Sequence, residues 1–331
     1  MSVLTEIICP VDFEEHSLNA VRFSAALAAR DKLPLTLIHV VTPIPTYATE
    51  SEASVLLAPE VHSSLAARIE EAKNLLEGLK ISHERDGALI KTEVIEGHPG
   101  NILVERALEN PRALMVLGTR GHRGIRRFIL GSTTAELLRR AVCPILTLRE
   151  GQETSEIKLI GVGVDFSGEC TPAVEIAASM ARHHQAALHL VHVLQAPEIP
   201  VGIETNLPVY SPDLRADLFE VAKKELNAIA ETLGNDLSIT VKVLDGPTPW
   251  RDLARYCRDE PVDLLCLGTH GRTGLDRLFL GSVTQRLIQI APCPVLAAKP
   301  HRDVPDQLSW EEVEKILDKK ESDRSASNPS G

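Results

Sequence analysis

The second half of the chain copies the first, motif by motif and in the same order. I-I-C-P-V-D-F at Ile7 to Phe13 returns as I-G-V-G-V-D-F at Ile160 to Phe166. L-T-L-I-H-V-V at Leu35 to Val41 returns as L-H-L-V-H-V-L at Leu188 to Leu194. A-L-M-V-L-G (Ala113 to Gly118) and A-V-C-P-I-L (Ala141 to Leu146) return as D-L-L-C-L-G and A-P-C-P-V-L. The offset drifts only from 153 (Ile7 to Ile160) to 150 (Ala113 to Asp263). A unit of that length can bury its own core, which separates this duplication from a short solenoid repeat. The expected division is residues 1–150, residues 157–300, a polar linker between them, and a tail over 301–331. In the tail, Ser309 to Glu312 has the form of a capping box, with Trp310, Val313, Ile316 and Leu317 on one face of a short helix.

Within one unit, short aliphatic runs alternate with segments of helical period. The runs at Glu6 to Val11, Leu35 to Val41, Ile90 to Ile95, Ala113 to Leu117 and Pro144 to Leu148 read as strands. Between them Leu18, Val21, Ala25 and Ala28 mark one helix; others are expected over Pro59 to Leu79, Asn101 to Glu109 and Ser132 to Ala141. Five strands alternating with helices predict an α/β fold: two tandem, Rossmann-like, doubly wound domains, each on a five-stranded parallel sheet. Ligands of such sheets sit at the carboxyl ends of the strands.

That edge is where the glycines fall. G-T-R-G-H-R-G-I-R-R-F-I-L-G-S (Gly118 to Ser132) and G-T-H-G-R-T-G-L-D-R-L-F-L-G-S (Gly268 to Ser282) share the spacing G, two residues, G, nine residues, G-S. Each joins a buried strand to a helix. Gly121 and Gly271 present no Cβ to an approaching phosphate, and Gly131-Ser132 and Gly281-Ser282 open a helix whose free N–H groups favour an anion. Hydroxyls of Ser132, Ser282, Thr134 and Thr284 add hydrogen bonds. No G-K-[ST] follows, so this is not a Walker loop, and the dinucleotide fingerprint would lie after the first strand. Asp12 and Asp165 end that first strand, where a carboxylate can accept from an adenine amino group or a ribose hydroxyl, and the backbone near Val40 and Val193 can frame a flat base. Singly, a Gly-Ser pair or an Asp after a strand is most often a helix cap. Jointly, and repeated in register, they favour a nucleotide.

The net charge of −11 argues against a nucleic-acid partner, which needs a basic footprint. No run approaches the length of a membrane span, and the N-terminus leads straight into strand-like sequence, so no membrane partner and a cytoplasmic location are expected. The six cysteines show neither C-x-x-C nor zinc spacing.

With V-D-F, L-I-H-V or L-V-H-V, the doubled glycine pattern, and C-P-I-L or C-P-V-L, the chain resembles the universal stress protein family in its tandem form, from residue 3 to about 300. The resemblance implies a fold of the adenine nucleotide α-hydrolase type. It implies ATP, with or without Mg2+, held by Asp12 or Asp165 and Val40 or Val193 at the adenosine, and by the glycines with Ser132 or Ser282 at ribose and phosphates. It implies pairing of the two domains through their last strands, Ile145 to Leu148 and Val295 to Ala298, and leaves further association into a homodimer open. Two positions depart from the family pattern. Glu14 replaces the Ser kept at Ser167, and Ala113 replaces the Asp kept at Asp263. The second repeat thus keeps the family pattern more fully than the first.

Three functions compete: a nucleotide-binding stress-response factor, a slow ATPase or phosphotransferase, and a nucleotide-free scaffold. Phosphoryl transfer needs a positioned base and a metal-binding carboxylate near the γ-phosphate. The only edge carboxylates common to both halves are Asp12 and Asp165, which the adenosine end claims. His39 and His192 lie inside strands and read as core histidines. Binding without fast turnover is therefore expected, with no catalytic residue.

Overall fold

The computed structural model describes residues 4–43, 52–85, 87–119, 130–152, 156–195, 212–269 and 280–299, with the side chains of 52–63 and 212–213 left out. The chain divides into Met1–Pro300 and His301–Gly331. The second unit, with its expected capping box, lies outside the described residues.

In the first repeat β1 (Glu6–Pro10), β2 (Pro34–Val41), β3 (Leu89–Glu96), β4 (Ala113–Gly118) and β5 (Ile145–Leu148) alternate with α1 (Glu15–Asp31), α2 (Glu52–Glu84), α3 (Pro99–Glu109) and α4 (Ser132–Arg140). The second repeat runs β6 (Leu159–Gly163), α5 (Thr171–His184), β7 (Ala187–Leu194), α6 (Pro212–Thr232), β8 (Ile239–Asp245), α7 (Pro249–Asp259), β9 (Leu264–Gly268), α8 (Ser282–Ile290) and β10 (Val295–Ala298). A single 3-10 turn, Gly168–Cys170, precedes α5. All strands of one repeat are parallel, in the order β3-β2-β1-β4-β5, and the second repeat mirrors it.

Helices on both faces explain why the central strands are continuous apolar runs instead of alternating ones. Ile7 and Cys9 of β1 and Leu114, Met115 and Val116 of β4 are fully buried. Helix α1 lays Ala20, Val21, Phe23, Leu27 and Ala28 on the sheet and ends on Lys32, in left-handed conformation at φ 54°. Gln185 repeats that ending after α5, also at φ 54°.

Most elements fall where their sequence places them. Helix α2 differs: it begins at Glu52, upstream of Pro59, and runs to Glu84. A proline prefers the first helical turn, which marks Pro59 as a start. The helix-favouring residues upstream carry the helix through it at the cost of one backbone hydrogen bond.

The two repeats share one ten-stranded sheet. β5 and β10 lie side by side and antiparallel, with Thr147 against Val295, Leu146 against Leu296 and Ile145 against Ala297. The Thr147 hydroxyl donates to the carbonyl of Val295 (3.1 Å), and Arg149 and Gln152 donate to the carbonyl of Ala291 (3.1 and 3.2 Å). Behind the sheet, Asp31 at the end of α1 meets His183 (3.3 Å) and His184 (3.5 Å) at the end of α5.

Candidate functional site

Strand β1 sits between β2 and β4, so the chain leaves it in one direction and returns on its other side. The carboxyl ends of β1 and β4 therefore splay into a crevice, the switch point of the sheet. In the first repeat that crevice holds a cavity of about 200 Å³ lined by Asp12, Val40, Gly118, Gly131, Ser132 and Thr134. The sheet order thus gathers six residues spread over more than a hundred positions of sequence. Gly121, the seventh expected residue, lies outside the described residues.

The acidic side of the cavity is tightly organised. Asp12 Oδ1 accepts from the backbone N–H of Glu14 (3.0 Å), and Oδ2 lies 3.1 Å from His16 Nε2. The Asp12 N–H donates to Ser17 Oγ (3.2 Å), whose own hydroxyl donates to the carbonyl of Glu14 (2.9 Å). Partial burial works to raise the Asp12 pKa, but hydrogen bonds from His16, Ser17 and the Glu14 backbone outweigh it and hold the carboxyl well below the ordinary range. Asp12 is an ionised acceptor at neutral pH. His16 and Ser17 also line the cavity. Neither belongs to a sequence motif; the spacing of His16 four residues after Asp12 is the one signal that points to it.

The opposite wall is the start of α4. Gly131 is its N-cap, at φ −58° and ψ 149°; no side chain caps the helix and its first turn holds no acidic residue. Its first N–H groups have no acceptor within the helix, an arrangement that favours an anion. Gly281 caps α8 in the same way, at φ −54° and ψ 136°.

A device shared by both repeats fixes the end of the first strand. Phe13 and Phe166, following Asp12 and Asp165, are left-handed at φ 63° and 61°. Each packs on a histidine: Phe13 on His39 at 4.7 Å between ring centres, Phe166 on His192 at 4.5 Å. His39 Nδ1 lies 2.7 Å from the carbonyl of Val11, and His192 Nδ1 lies 2.7 Å from that of Val164. The repeated histidines are pins that set the turn presenting each aspartate.

Asp165, Val193, Gly268, Gly281, Ser282 and Thr284 occupy the matching edge of the second repeat, with Gly271 outside the described residues. The chemistry around Asp165 differs. Its Oδ1 accepts from both the N–H (3.0 Å) and the hydroxyl (2.6 Å) of Ser167. Glu169 and Cys170 stand where the first repeat has His16 and Ser17. The Thr284 hydroxyl donates to the carbonyl of Gly268 (2.7 Å), so its proton is committed within the protein.

The structure adds a local account of three sequence features. Gly118 is demanded by the protein: a Cβ there would lie 1.9 Å from the carbonyl oxygen of His16, where α1 crosses the strand end. Gly268 is held likewise against Glu169, at 2.7 Å. Glu14 is exposed and absent from the cavity lining, so its charge does not enter the crevice. The exchange of Ala113 for Asp263 lies at the amino ends of the strands, away from the site. Asp263 Oδ2 there accepts from the N–H groups of Lys158 and Leu159 (2.8 and 2.9 Å). In the first repeat, Asn110 instead bridges Thr5 (3.1 Å) and Glu6 (2.8 Å).

Comparison with known proteins agrees with this architecture. A universal stress protein from Archaeoglobus fulgidus superposes with a TM-score of 0.65 over 89% of this chain and 98% of its own, at 19% identity. A putative universal stress protein from Pseudomonas aeruginosa gives 0.55 over 90% and 94%, at 18% identity. In sequence, a universal stress protein of Mycolicibacterium smegmatis is 27% identical over 303 residues, 89% of this chain and 97% of that one. One from Mycobacterium tuberculosis is 28% identical over 304 residues, 88% and 96%. The family pattern described as "Universal stress protein family" matches twice, over residues 4–149 and 156–299. Both repeats carry the pattern, and the chain belongs to the universal stress protein family.

Proposed function

We propose that the chain is a stress-response factor of two domains, residues 1–150 and 157–300, that binds an adenine nucleotide, ATP, at the carboxyl edge of one or both. The domains pair through their last strands, β5 and β10. The observation that carries the reading is one cavity with opposite chemistry on its two walls. Asp12, ionised and fixed, faces the adenosine end, and the uncapped start of α4 at Gly131-Ser132 faces the phosphates. Among the described residues a Cβ on Gly131 would meet nothing nearer than Thr134 Oγ1 at 3.9 Å, which leaves room for a ligand beside that glycine. At about 200 Å³ the cavity is smaller than the ~300–1,000 Å³ usual for a whole ligand. It suits part of a nucleotide, the rest extending along the glycine segment.

Among the described residues no group of three or more His, Cys, Asp or Glu side chains is placed to hold a metal ion, and the reading assigns none to Mg2+. It assigns no general base either. ATP is bound and held, not turned over quickly. No helix among the described residues is long and apolar enough to cross a membrane.

Native mass spectrometry of freshly purified protein, paired with thermal melting, tests this. Retained adenine nucleotide, or a melting temperature that rises with ATP, is the expected result. A clean apo mass with no ATP-dependent rise overturns it. Steady ADP release that stops in Asp165→Asn would replace it with the ATPase reading.

A further inference from the structure

The ten-stranded sheet ends in two parallel edge strands, β3 and β8, and the two edges are not equivalent. Among the described residues no strand lies beyond either. An open edge of seven or eight residues is a template for another strand, and natural sheets ordinarily guard such edges with charge. β8 carries a single basic residue, Lys242, at its centre. β3 carries a different pattern, L-I-K-T-E-V-I-E.

The backbone fixes which residues of β3 can bond outward. The Gly97 N–H donates to the carbonyl of Val41 on β2 (3.1 Å). Peptide groups alternate in direction along a strand, so the odd residues of β3 face β2 and the even ones, Ile90, Thr92 and Val94, face the open edge. Two copies of β3 paired antiparallel about a two-fold axis must bring even residues opposite even residues. Centring the axis on Thr92 satisfies that condition. It sets Thr92 against Thr92 of the second copy, Ile90 against Val94, Leu89 against Ile95, and Lys91 against Glu93.

The side chains then agree on both faces of the sheet. Ile90 and Val94 pack into the core under α2. Lys91 and Glu93 share the other face, where Glu93 pairs with Arg106 of α3. Lys91 is exposed and has no ion pair among the described residues. Glu93 borders a small cavity of about 70 Å³ whose charged lining is Glu6, Glu93, Glu109 and Arg106. Three carboxylates against one guanidinium leave an acidic excess there, which a second copy's Lys91 would meet. Leu89, 66% exposed, would be covered by Ile95. Moving the axis by one residue in either direction sets Lys91 against itself or Glu93 against itself. On β8 the register of fullest overlap sets Lys242 against itself.

We propose that the open edge of β3 is the seam of a homodimer, joining two copies of this chain through antiparallel β3 strands centred on Thr92. The seam uses one edge strand of each copy, so it joins two copies.

Sedimentation velocity of the full-length chain tests the seam. The wild type is expected to be a dimer. Lys91→Glu and Glu93→Lys each turn two attractive cross-strand contacts into repulsive ones, and each alone is expected to weaken the dimer about ten-fold or more. The first variant carries two acidic side chains at these positions and the second carries two basic ones. Mixing the two variants restores opposite charges at both cross-strand contacts, so a heterodimer is expected to form. Lys242→Glu, on the other edge, is expected to leave the dimer intact. A wild type that stays monomeric at its highest soluble concentration overturns the proposal. So does a dimer indifferent to Lys91→Glu, or variants that stay monomeric after mixing while keeping wild-type circular dichroism. None of these outcomes depends on nucleotide.

Discussion

At Gly118 and Gly131 the same residue type answers two different needs. Gly118 leaves room for the backbone of α1, and a methyl group would have to push a carbonyl aside. Gly118→Ala is expected to lower stability by at least about 2 kcal/mol, measured by urea unfolding. Gly131 has an ordinary φ and, among the described residues, an unobstructed Cβ direction, so Gly131→Ala is expected to cost no more than about 1 kcal/mol, the loss of a glycine cap. If the open space serves a ligand, that variant loses ATP-dependent thermal stabilisation while keeping its fold. The glycine spacing is legible in the sequence, but the division of labour is not, because it depends on which helix crosses which strand end. The same holds for His16 and Ser17. They look like ordinary first-turn residues until the crevice between β1 and β4 is seen to include them.

Among the elements, the strands are the most legible, since burial on both faces writes each as an unbroken aliphatic run. Helix boundaries are less so, as α2 shows by passing through Pro59. The turn after β1 could not be read at all. Nothing local forces a phenylalanine to a positive φ; the stacking histidine of the next strand holds it there. Buried His192 both supports Phe166 and satisfies the carbonyl of Val164. His192→Leu keeps much of the volume but leaves that carbonyl without its partner. A loss of about 1–3 kcal/mol is expected in urea unfolding. A weaker ATP response from the second site should accompany it, because the turn bearing Asp165 loosens.

The whole molecule hinges on the short strands β5 and β10. Leu146 and Leu296 face each other there, both fully buried. Leu296→Ala is expected to cost about 2–5 kcal/mol, read as an earlier urea midpoint. Because the seam joins both cores, the loss should appear in the unfolding of both repeats together. A change confined to one repeat would show that the seam does not couple them. The duplication made this arrangement half legible: it announces two similar units, whereas the antiparallel register between them depends on side-chain fit across the seam.

That register has a geometric consequence. Strands within a repeat all point one way, and the seam reverses them, so the carboxyl edges of the two repeats lie at opposite rims of the sheet. No single small ligand can span both. A symmetric pair of separate chains would also have opposed carboxyl edges, but they would have to be identical. Fusing the pair into one chain lifts that constraint. Glu14 with His16 and Ser17 on one rim, and Ser167 with Glu169 and Cys170 on the other, are free to diverge while their ratio stays fixed at one to one. Every copy of the chain therefore carries both edges, in equal number and back to back.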